Sequence, residues 1–341
     1  MMDKNYIIGV DGGNSKTDYF LVDLDGNFID HINTGTCSHE RFPDGYSSSL
    51  RIMNENIQKL LNRNQLSMEH IAAGAFGLAG ADVPSQKHQL NKVIEQIGFT
   101  HYAMDNDSFL GIKAGSEKGF GICSINGSGT VTGGISPTGR RLQVGGVGSE
   151  LSGDEAGGFF LARKVLRTIY DAFYRMGPET SMTEPVMELL QIPSKEHFIE
   201  YALEGSLKRT LPNTKLMQIM FAAADSGDQA AIDIIEHTAK QLAHSTAGCM
   251  HNLDFDAEVD VVLAGSVWVK AESPLLLEKY KTYVESLTEH DCNFILLQVP
   301  PATGAVLWAL ELAYGYPVGP ETRSKIIQSV RNIYEQATSR V

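Results

Sequence analysis

Two short glycine-rich loops contain the residue types that hold phosphate groups. The first reads DGGNSKT over residues 11–17, and the second reads NGSGT over residues 126–130. Glycine lacks a Cβ atom, so each loop can bring several backbone N–H groups against one anion. Hydroxyl and ammonium donors suited to a triphosphate are also present: Ser15, Lys16, Thr17, Ser128 and Thr130. We therefore predict a two-sided phosphate clamp; the alternative is two tight hairpins that need glycine only for their turns.

Asp11 stands at the start of the first loop. A carboxylate there would repel phosphate unless a divalent cation lay between them. Asp11 is therefore a candidate ligand of Mg²⁺ or of a magnesium-bound water. The competing interpretation is an Asx-turn residue that stabilises the hairpin.

Asp107 follows a short predicted strand, in the order Asp105-Asn106-Asp107, and begins a predicted helix that ends at Ala114. Aspartate is also a common N-cap, so the position alone allows a purely structural role. Open α/β sheets, however, bind their ligands at the carboxyl ends of the strands. A carboxylate there could accept the proton of a substrate hydroxyl as that hydroxyl attacks phosphorus, and we predict this role for Asp107.

The longest glycine-rich segment extends from Gly145 to Gly158. Glycines among polar side chains suit a sugar, whose hydroxyls need many directed hydrogen bonds. Asp154 and Glu155 precede a helix predicted over 159–174, so the alternative for both is a favourable interaction with the helix dipole. The histidines show no metal-ligand spacing.

The elements that would position these residues occur twice. Strands are predicted over 6–10, 18–23 and 28–32, so the first glycine loop joins two strands rather than preceding a helix, as a dinucleotide or P-loop site would require. The same arrangement recurs over 121–125, over 130–135 and from Arg141 onward. A β-run ends at Gly80 in the first half and at Gly265 in the second, and a helix closes each half, over 107–114 and 302–312. This repetition predicts two related α/β domains, residues 1–117 and a larger domain, 118–341, with helices inserted between about Glu155 and Leu253.

The composition excludes several classes of function. The 341 residues suffice for about two domains, and 28 Lys and Arg against 41 Asp and Glu give a formal net charge of −13. That sign disfavours nucleic acids and anionic membranes as partners. No apolar run approaches the length of a membrane helix and no secretory signal is recognised, so we expect a cytoplasmic protein. The four cysteines form no CxxC pair and are expected to be free, buried thiols.

Together these motifs resemble the N-acetylglucosamine kinase branch of the BadF/BadG/BcrA/BcrD ATPase family. In chain order, the resemblance is carried by residues 11–17, Asp107, residues 126–129, the segment from Gly145 to Glu155, and Gly265-Ser266-Val267-Trp268. It implies an α/β fold of two duplicated actin-like (ribonuclease H-like) domains with an ATP cleft between them. It also implies an ATP- and Mg²⁺-dependent phosphotransferase that acts on an amino sugar. We further expect a homodimer.

Transferred position by position, the resemblance makes Asp107 the base that binds the acceptor hydroxyl. The ATP-binding residues that it implies are Gly12, Gly13, Asn14, Ser15, Lys16, Thr17, Gly127, Ser128, Gly129 and, at the adenosine, Gly265 and Ser266. The sugar-binding residues that it implies are Ser38, His39, Gly80, Asp107, Thr130, Val131, Gly146, Val147, Gly148 and Asp154.

Two departures from the kinase pattern bear on the substrate. Ser38 precedes His39 where the kinases carry Asn, and Val131 occupies the place of an Asn after the second phosphate loop. The substrate is therefore expected to be N-acetylglucosamine, a relative such as N-acetylmuramic acid or glucosamine, or another compound. The alternative from another class is an ATP-dependent regulatory or nucleotide-binding protein without sugar phosphorylation. An iron–sulfur reductase activator is disfavoured, because no cysteine lies in the glycine-rich hinge region.

Overall fold

Two five-stranded mixed sheets form the centre of the protein, whose computed structural model describes residues 4–256, 258–270 and 273–338. The N-terminal sheet has the strand order β3-β2-β1-β4-β5. Its first three strands are antiparallel, and the other two run parallel to β1. The strands are β1 (Tyr6–Gly12), β2 (Lys16–Asp23), β3 (Phe28–Gly35), β4 (Ile71–Leu78) and β5 (Tyr102–Asp105).

The second sheet repeats this plan with the strand order β10-β9-β6-β7-β8. Three antiparallel strands again come first along the chain, followed by two strands parallel to β6. The strands are β6 (Gly121–Asn126), β7 (Thr130–Ile135), β8 (Arg141–Gly145), β9 (Glu258–Ala264) and β10 (Asp291–Leu296). Because both sheets pair their strands in the same chain order, the predicted duplication of an α/β unit is confirmed.

The strands extend further into the glycine loops than the sequence predicts. In the first hairpin Asp11 pairs with Asp18 and Gly12 pairs with Thr17, so only residues 13–15 remain as the turn. The backbone N–H of Gly13 closes this turn by donating to the Lys16 carbonyl over 2.9 Å. The register places Asp11 in the sheet, one residue before the end of β1.

Two amphipathic helices, α1 (Tyr46–Arg63) and α2 (Pro84–Ile97), cover one face of the N-terminal sheet. Apolar residues at helical spacing line the inner side of each helix, as their periodicity predicts. The buried residues of these stripes are Met53, Ile57, Leu60, Leu61, Leu90, Val93, Ile94 and Ile97. A third helix, α3 (Ser108–Gly115), follows β5.

Five α-helices lie between β8 and β9, in the part of the chain where the sequence predicts inserted helices. These helices are α4 (Gly158–Tyr174), α5 (Thr183–Leu189), α6 (Phe198–Leu207), α7 (Asn213–Asp225) and α8 (Gln229–Asn252). The long α8 begins where the Asp228 carboxylate accepts a hydrogen bond from the Ala231 N–H over 3.0 Å, a normal N-cap. The remaining helices are α9 (Ser266–Val269), α10 (Leu275–Leu287), α11 (Ala302–Tyr314) and α12 (Pro320–Thr338).

The helix that closes each half of the chain packs on the sheet of the other half. Helix α3 packs on the second sheet, where Phe109 lies in one cluster with Val262. Helix α11 packs on the first sheet, where Val306 lies in one cluster with Ile7. The division at residues 117 and 118 stays a prediction, and the packing adds that α11 covers the N-terminal sheet although it follows that point in the chain.

The cysteines are free thiols, as predicted, although Cys292 is only partly buried. In the part of the chain that the structure describes, no helix is both long and apolar enough to cross a bilayer.

Candidate active site

The two glycine hairpins meet between the sheets. The Ser15 hydroxyl of the first loop lies 3.2 Å from the Ser128 hydroxyl of the second. These serines are 113 residues apart in the chain, so only the facing of the two domains brings them together. A clamp that approaches one phosphate group from both sides requires such facing loops, and the clamp stays a prediction.

The second loop is held rigidly by the start of α4. Backbone N–H groups of Gly158 and Phe159 donate to the carbonyls of Gly127 and Ser128 over 2.8 and 3.0 Å. Gly157 has φ +81°, and a Cβ there would lie 2.6 Å from the Gly129 backbone. The loop conformation therefore depends on backbone contacts that admit only glycine at position 157.

The side chains of the first loop divide between the cleft and the interior. Asn14 and Ser15 are exposed at the turn. The Lys16 ammonium lies 2.8 Å from the Asp18 carboxylate. Thr17 is fully buried, and its hydroxyl accepts a hydrogen bond from the Cys37 N–H over 3.0 Å. Among the side chains predicted to bind ATP, Thr17 therefore faces the core in this structure.

Gly12 also packs into the core. A Cβ at this position would lie 2.7 Å from Leu78 Cδ2 and 2.9 Å from Cys37 Sγ. Gly127 differs, because the nearest atom to its Cβ position is 3.8 Å away. The glycine at position 12 is thus required first by packing, whereas the one at 127 leaves open space at the loop.

Gly265 ends β9 directly against the second loop. Its φ is +98°, and a Cβ there would lie 2.5 Å from the Asn126 carbonyl oxygen. The next residue, Ser266, is exposed and begins α9. The predicted adenosine-contacting pair thus lies beside the phosphate loop.

Asp11 is 8% exposed at the end of β1. Burial raises its pKa well above the usual value, and the charges of Asp107 and Asp18 raise it further against the opposing effect of Lys16. Such mutual repulsion would be relieved by a cation. In the described parts of the chain no three His, Cys, Asp or Glu side chains form a metal site. Magnesium that rests on one carboxylate, the phosphates and water is compatible with this arrangement.

Asp107 stands before α3, but its side chain makes no capping hydrogen bond. The neighbouring Asn106 side chain makes a hydrogen bond of this kind, because its Oδ1 accepts from the Ser108 N–H over 2.9 Å. Burial, and then the charge of Asp82, raise the pKa of Asp107 to about 7. The N–H groups of Asp107 and Ser108 act in the opposite direction and lower this pKa. A carboxyl group with a pKa near 7 is suited to act as a general base.

Asp82, which sequence reasoning missed, lies in the turn between β4 and α2. Its Oδ1 accepts hydrogen bonds from Asn106 Nδ2 (2.9 Å) and Gln143 Nε2 (2.7 Å). Burial, together with the charges of Glu40 and Asp154, raises its pKa to about 6 despite these bonds. The signal in the sequence was a carboxylate shortly after a strand end, as at Asp107.

In the predicted sugar segment, Gly146 and Gly148 are hydrogen-bonded to Asp154. Its carboxylate accepts hydrogen bonds from the N–H groups of Gly146 (2.9 Å) and Gly148 (2.8 Å). A Cβ at Gly146 would lie 3.0 Å from both Asp82 Oδ1 and Val131 Cγ2. Asp154 thus fixes the loop so that Gly146 contacts Asp82 and Val131. Val147, at the tip, is 50% exposed.

Among the other predicted sugar contacts, Gly80 and His39 lie against each other. A Cβ at Gly80 would lie 2.8 Å from His39 Cε1, and the His39 ring stacks on Tyr46 at 4.2 Å. The Ser38 hydroxyl is buried and has no hydrogen-bond partner in the described part of the chain. Thr130 uses its hydroxyl within the hairpin, donating to the Ile125 carbonyl over 2.9 Å.

Comparison with known proteins gives consistent results. A curated Clostridium acetobutylicum protein named N-acetylmuramic acid/N-acetylglucosamine kinase is 26% identical over 89% of this chain and 98% of its own length. The N-acetyl-D-glucosamine kinase of Dictyostelium discoideum is 26% identical over 91% of this chain and 99% of its own. A solved Chromobacterium violaceum structure, provisionally assigned as an N-acetylglucosamine kinase, shares the fold with a TM-score of 0.64 at 19% identity, over 91% and 99% of the two chains.

The sequence profile of one family extends through both domains. It matches residues 8–309, a span that includes the two phosphate loops, Asp107, the Gly145–Gly158 segment and Gly265. The chain belongs to the BadF/BadG/BcrA/BcrD ATPase family.

Proposed function

We propose that this protein transfers the γ-phosphoryl group of ATP to a hydroxyl of an amino sugar, N-acetylglucosamine or a close relative. The observation that carries the proposal is the position of Asp107. Its charge acts on Asp11 beside the first phosphate loop, and its own pKa responds to Asp82 beside the Gly146 loop. Asp107 is thus close to groups beside the first phosphate loop and beside the sugar segment, which supports the proposal. Both curated relatives are named as kinases of N-acetylated amino sugars.

In the proposed reaction the sugar hydroxyl attacks the γ-phosphorus while Asp107 holds the hydroxyl and accepts its proton. The new bond joins the sugar oxygen to phosphorus, and the bond to the departing ADP oxygen breaks. The glycine loops hold the phosphates in line with the hydroxyl, which provides much of the rate gain in phosphoryl transfer. Ser15 and Ser128 supply hydroxyl donors from opposite sides.

Asp11 would hold the magnesium ion of the nucleotide. When bound, that ion supplies positive charge against the phosphate oxygens. The buried Asp11 carboxylate, whose neighbours are Asp18 and Asp107, would be stabilised in its ionised form by such a charge.

The second candidate is a nucleotide-binding regulatory protein without phosphotransfer. It is favoured by Ser38 and Val131, where the kinases carry Asn. The uncapped, titratable Asp107 favours the kinase.

The deciding experiment is an ATP-dependent assay across N-acetylglucosamine, glucosamine, N-acetylmuramic acid and glucose, with ADP and sugar phosphate measured together. We expect equal amounts of both products with at least one amino sugar. Nucleotide hydrolysis without any sugar phosphate across the panel would favour the regulatory alternative.

We further infer a cytoplasmic homodimer that uses ATP and an amino sugar and binds no nucleic acid. The net charge of −13 supports the last point. Three exposed apolar side chains one turn apart on α6, Ile199, Leu203 and Leu207, support self-association. Light scattering with a Leu203→Glu variant tests it, since a dimer through this stripe should then dissociate.

A further inference from the structure

We propose that Asp82 is a specificity-determining residue of the sugar site, and that the negative charge it shares with Glu40, Asp107 and Asp154 excludes sugars that carry a carboxylate. The substrates are then hexosamines that are uncharged or cationic. This inference rests on the proposed sugar kinase function and concerns the same site.

The position of Asp82 is fixed from both domains. Asn106, adjacent to the proposed base, donates to it from the N-terminal half, and Gln143 on β8 donates from the C-terminal half. Gly146 packs so closely that a Cβ there would lie 3.0 Å from Asp82 Oδ1. The carboxylate therefore lies against the sugar segment on one side and beside the residue before Asp107 on the other.

Hydrogen bonds act on the charge of this cluster, including those from Gln143 to Asp82 and from Gly146 to Asp154. The ion pairs of the described residues include none of its four carboxylates. Two cations nearby, Lys87 and Arg141, are both paired with Asp105, at 2.6 and 3.2 Å. Burial lowers the pKa of His39, so that its ring favours the neutral form.

Besides the carboxylates, Gln143 offers the site an acceptor. Gln143 uses its NH₂ group on Asp82 and on the Gly145 carbonyl, and its Oε1 is buried with no hydrogen-bond partner among the described residues. Hydroxyl, amide N–H and ammonium groups of a hexosamine can donate to such acceptors. The carboxylate of a lactyl ether cannot donate, and it adds a like charge to the cluster, so the site discriminates by repulsion as well as by attraction.

The test compares N-acetylglucosamine, glucosamine and N-acetylmuramic acid by kcat/KM in the wild type and in Asp82→Asn. In the wild type we expect the anionic sugar to be worse than N-acetylglucosamine by about tenfold or more. Asp82→Asn should reduce the ratio of the two kcat/KM values several-fold, mainly by lowering the KM for the anionic sugar. Glu55→Gln is the matched control, because it removes one negative charge from an exposed position on α1 and should leave the ratio unchanged.

A second variant changes the net charge of the site in the same direction, by adding a cation while Asp82 itself is kept. Gln143→Lys places an ammonium group beside the cluster and should raise the relative activity toward the anionic sugar. A wild type that prefers N-acetylmuramic acid, or an unchanged ratio in both variants with native melting temperatures, would overturn the proposal. If no sugar is phosphorylated at all, the kinase function fails, and calorimetric binding of the same three sugars still decides selectivity: equal affinities would refute it.

Discussion

At the residue scale, the two carboxyl groups Asp82 and Asp107 differ in what restrains them. Asp82 accepts two side-chain hydrogen bonds, whereas the Asp107 side chain makes no capping bond. Asn106 links the two, because its amide donates to Asp82 and its carbonyl oxygen accepts from Ser108. One carboxylate is thus held in place and the other is left available for a proton.

Asp107→Asn should lower kcat by about 10²- to 10⁴-fold, the usual range for loss of a positioned base. Nucleotide and sugar affinities should change little, because the amide keeps the shape of the side chain. Steady-state kinetics, calorimetry and a melting curve together check this. Retention of more than a tenth of the activity, or loss only through unfolding, would assign Asp107 a structural role.

The pKa of Asp107 predicts how activity and stability depend on pH. With the folded value near 7, kcat/KM should rise with pH up to about 7 and then level off, because the base must be ionised. A carboxyl pKa raised by folding stabilises the protein below the unfolded pKa, near 3.8, and this contribution is lost as pH rises through 7. The melting temperature of Asp107→Asn relative to wild type should therefore increase from pH 5 to pH 8. A difference that is constant with pH would contradict the assigned pKa.

At the element scale, the site depends on where strands and helices end. The second phosphate loop packs against the first residues of α4. Gly265, after β9, packs against the same loop. Helices α3 and α11 cross where a Cβ at Gly304 would lie 2.0 Å from the Leu110 carbonyl oxygen. Glycine at these contacts allows backbone to meet backbone.

Gly157→Ala should weaken ATP binding by about ten- to a hundredfold, the loss expected when one or two hydrogen bonds to a charged group are displaced. The new Cβ would meet the Gly129 backbone at 2.6 Å. Gly139→Ala is the matched control, because its φ of +82° imposes similar strain but nothing lies within 4 Å. Calorimetry with ATP separates the two variants, and equal affinities would disprove the role of the contact.

Gly304→Ala should destabilise the fold by about 1–3 kcal/mol through overpacking between α3 and α11. Gly248→Ala in α8 is the control, because nothing lies within 4 Å of its Cβ position, and alanine there should stabilise by up to about 1 kcal/mol. Urea unfolding of both variants measures the difference. If both changes have the same sign, the close helix crossing does not limit stability.

At the scale of the whole molecule, a few polar contacts join the two halves across the cleft. Gln143 reaches Asp82, Arg141 reaches Asp105 over 3.2 Å, and Ser15 meets Ser128. Arg141 also lies over the Trp308 ring of α11 at 4.4 Å. Because these few polar contacts can be replaced by contacts with bound ligands, the two halves can move relative to each other by a hinge motion.

We therefore expect the protein to become more compact when ATP and sugar bind together. The radius of gyration should fall by roughly 1 Å from about 20 Å, the value for a compact chain of this length. Small-angle scattering with a non-hydrolysable ATP analogue and N-acetylglucosamine measures this change, and each ligand alone serves as the control. An unchanged radius with both ligands would count against closure.

The features that the sequence determined are local ones. A glycine loop between two alternating strands, a carboxylate after a strand, and an apolar stripe at helical spacing each depend on a few neighbouring residues. The duplicated order of these features was enough to predict two related domains and the position of Asp107. Such patterns also indicate which face of an element is buried, because the period of the side chains is fixed by the backbone.

Only the tertiary structure decided which buried surfaces meet. Helix α11 could have covered either sheet, and no periodicity indicates that it covers the first. The same is true of Asp82 and Gln143, which are 61 residues apart. It is also true of Thr17, which the sequence assigned to the first phosphate loop and which lies against Cys37 in the structure. The partner of a residue is chosen by the packing of whole elements, a long-range property that no short stretch of sequence contains.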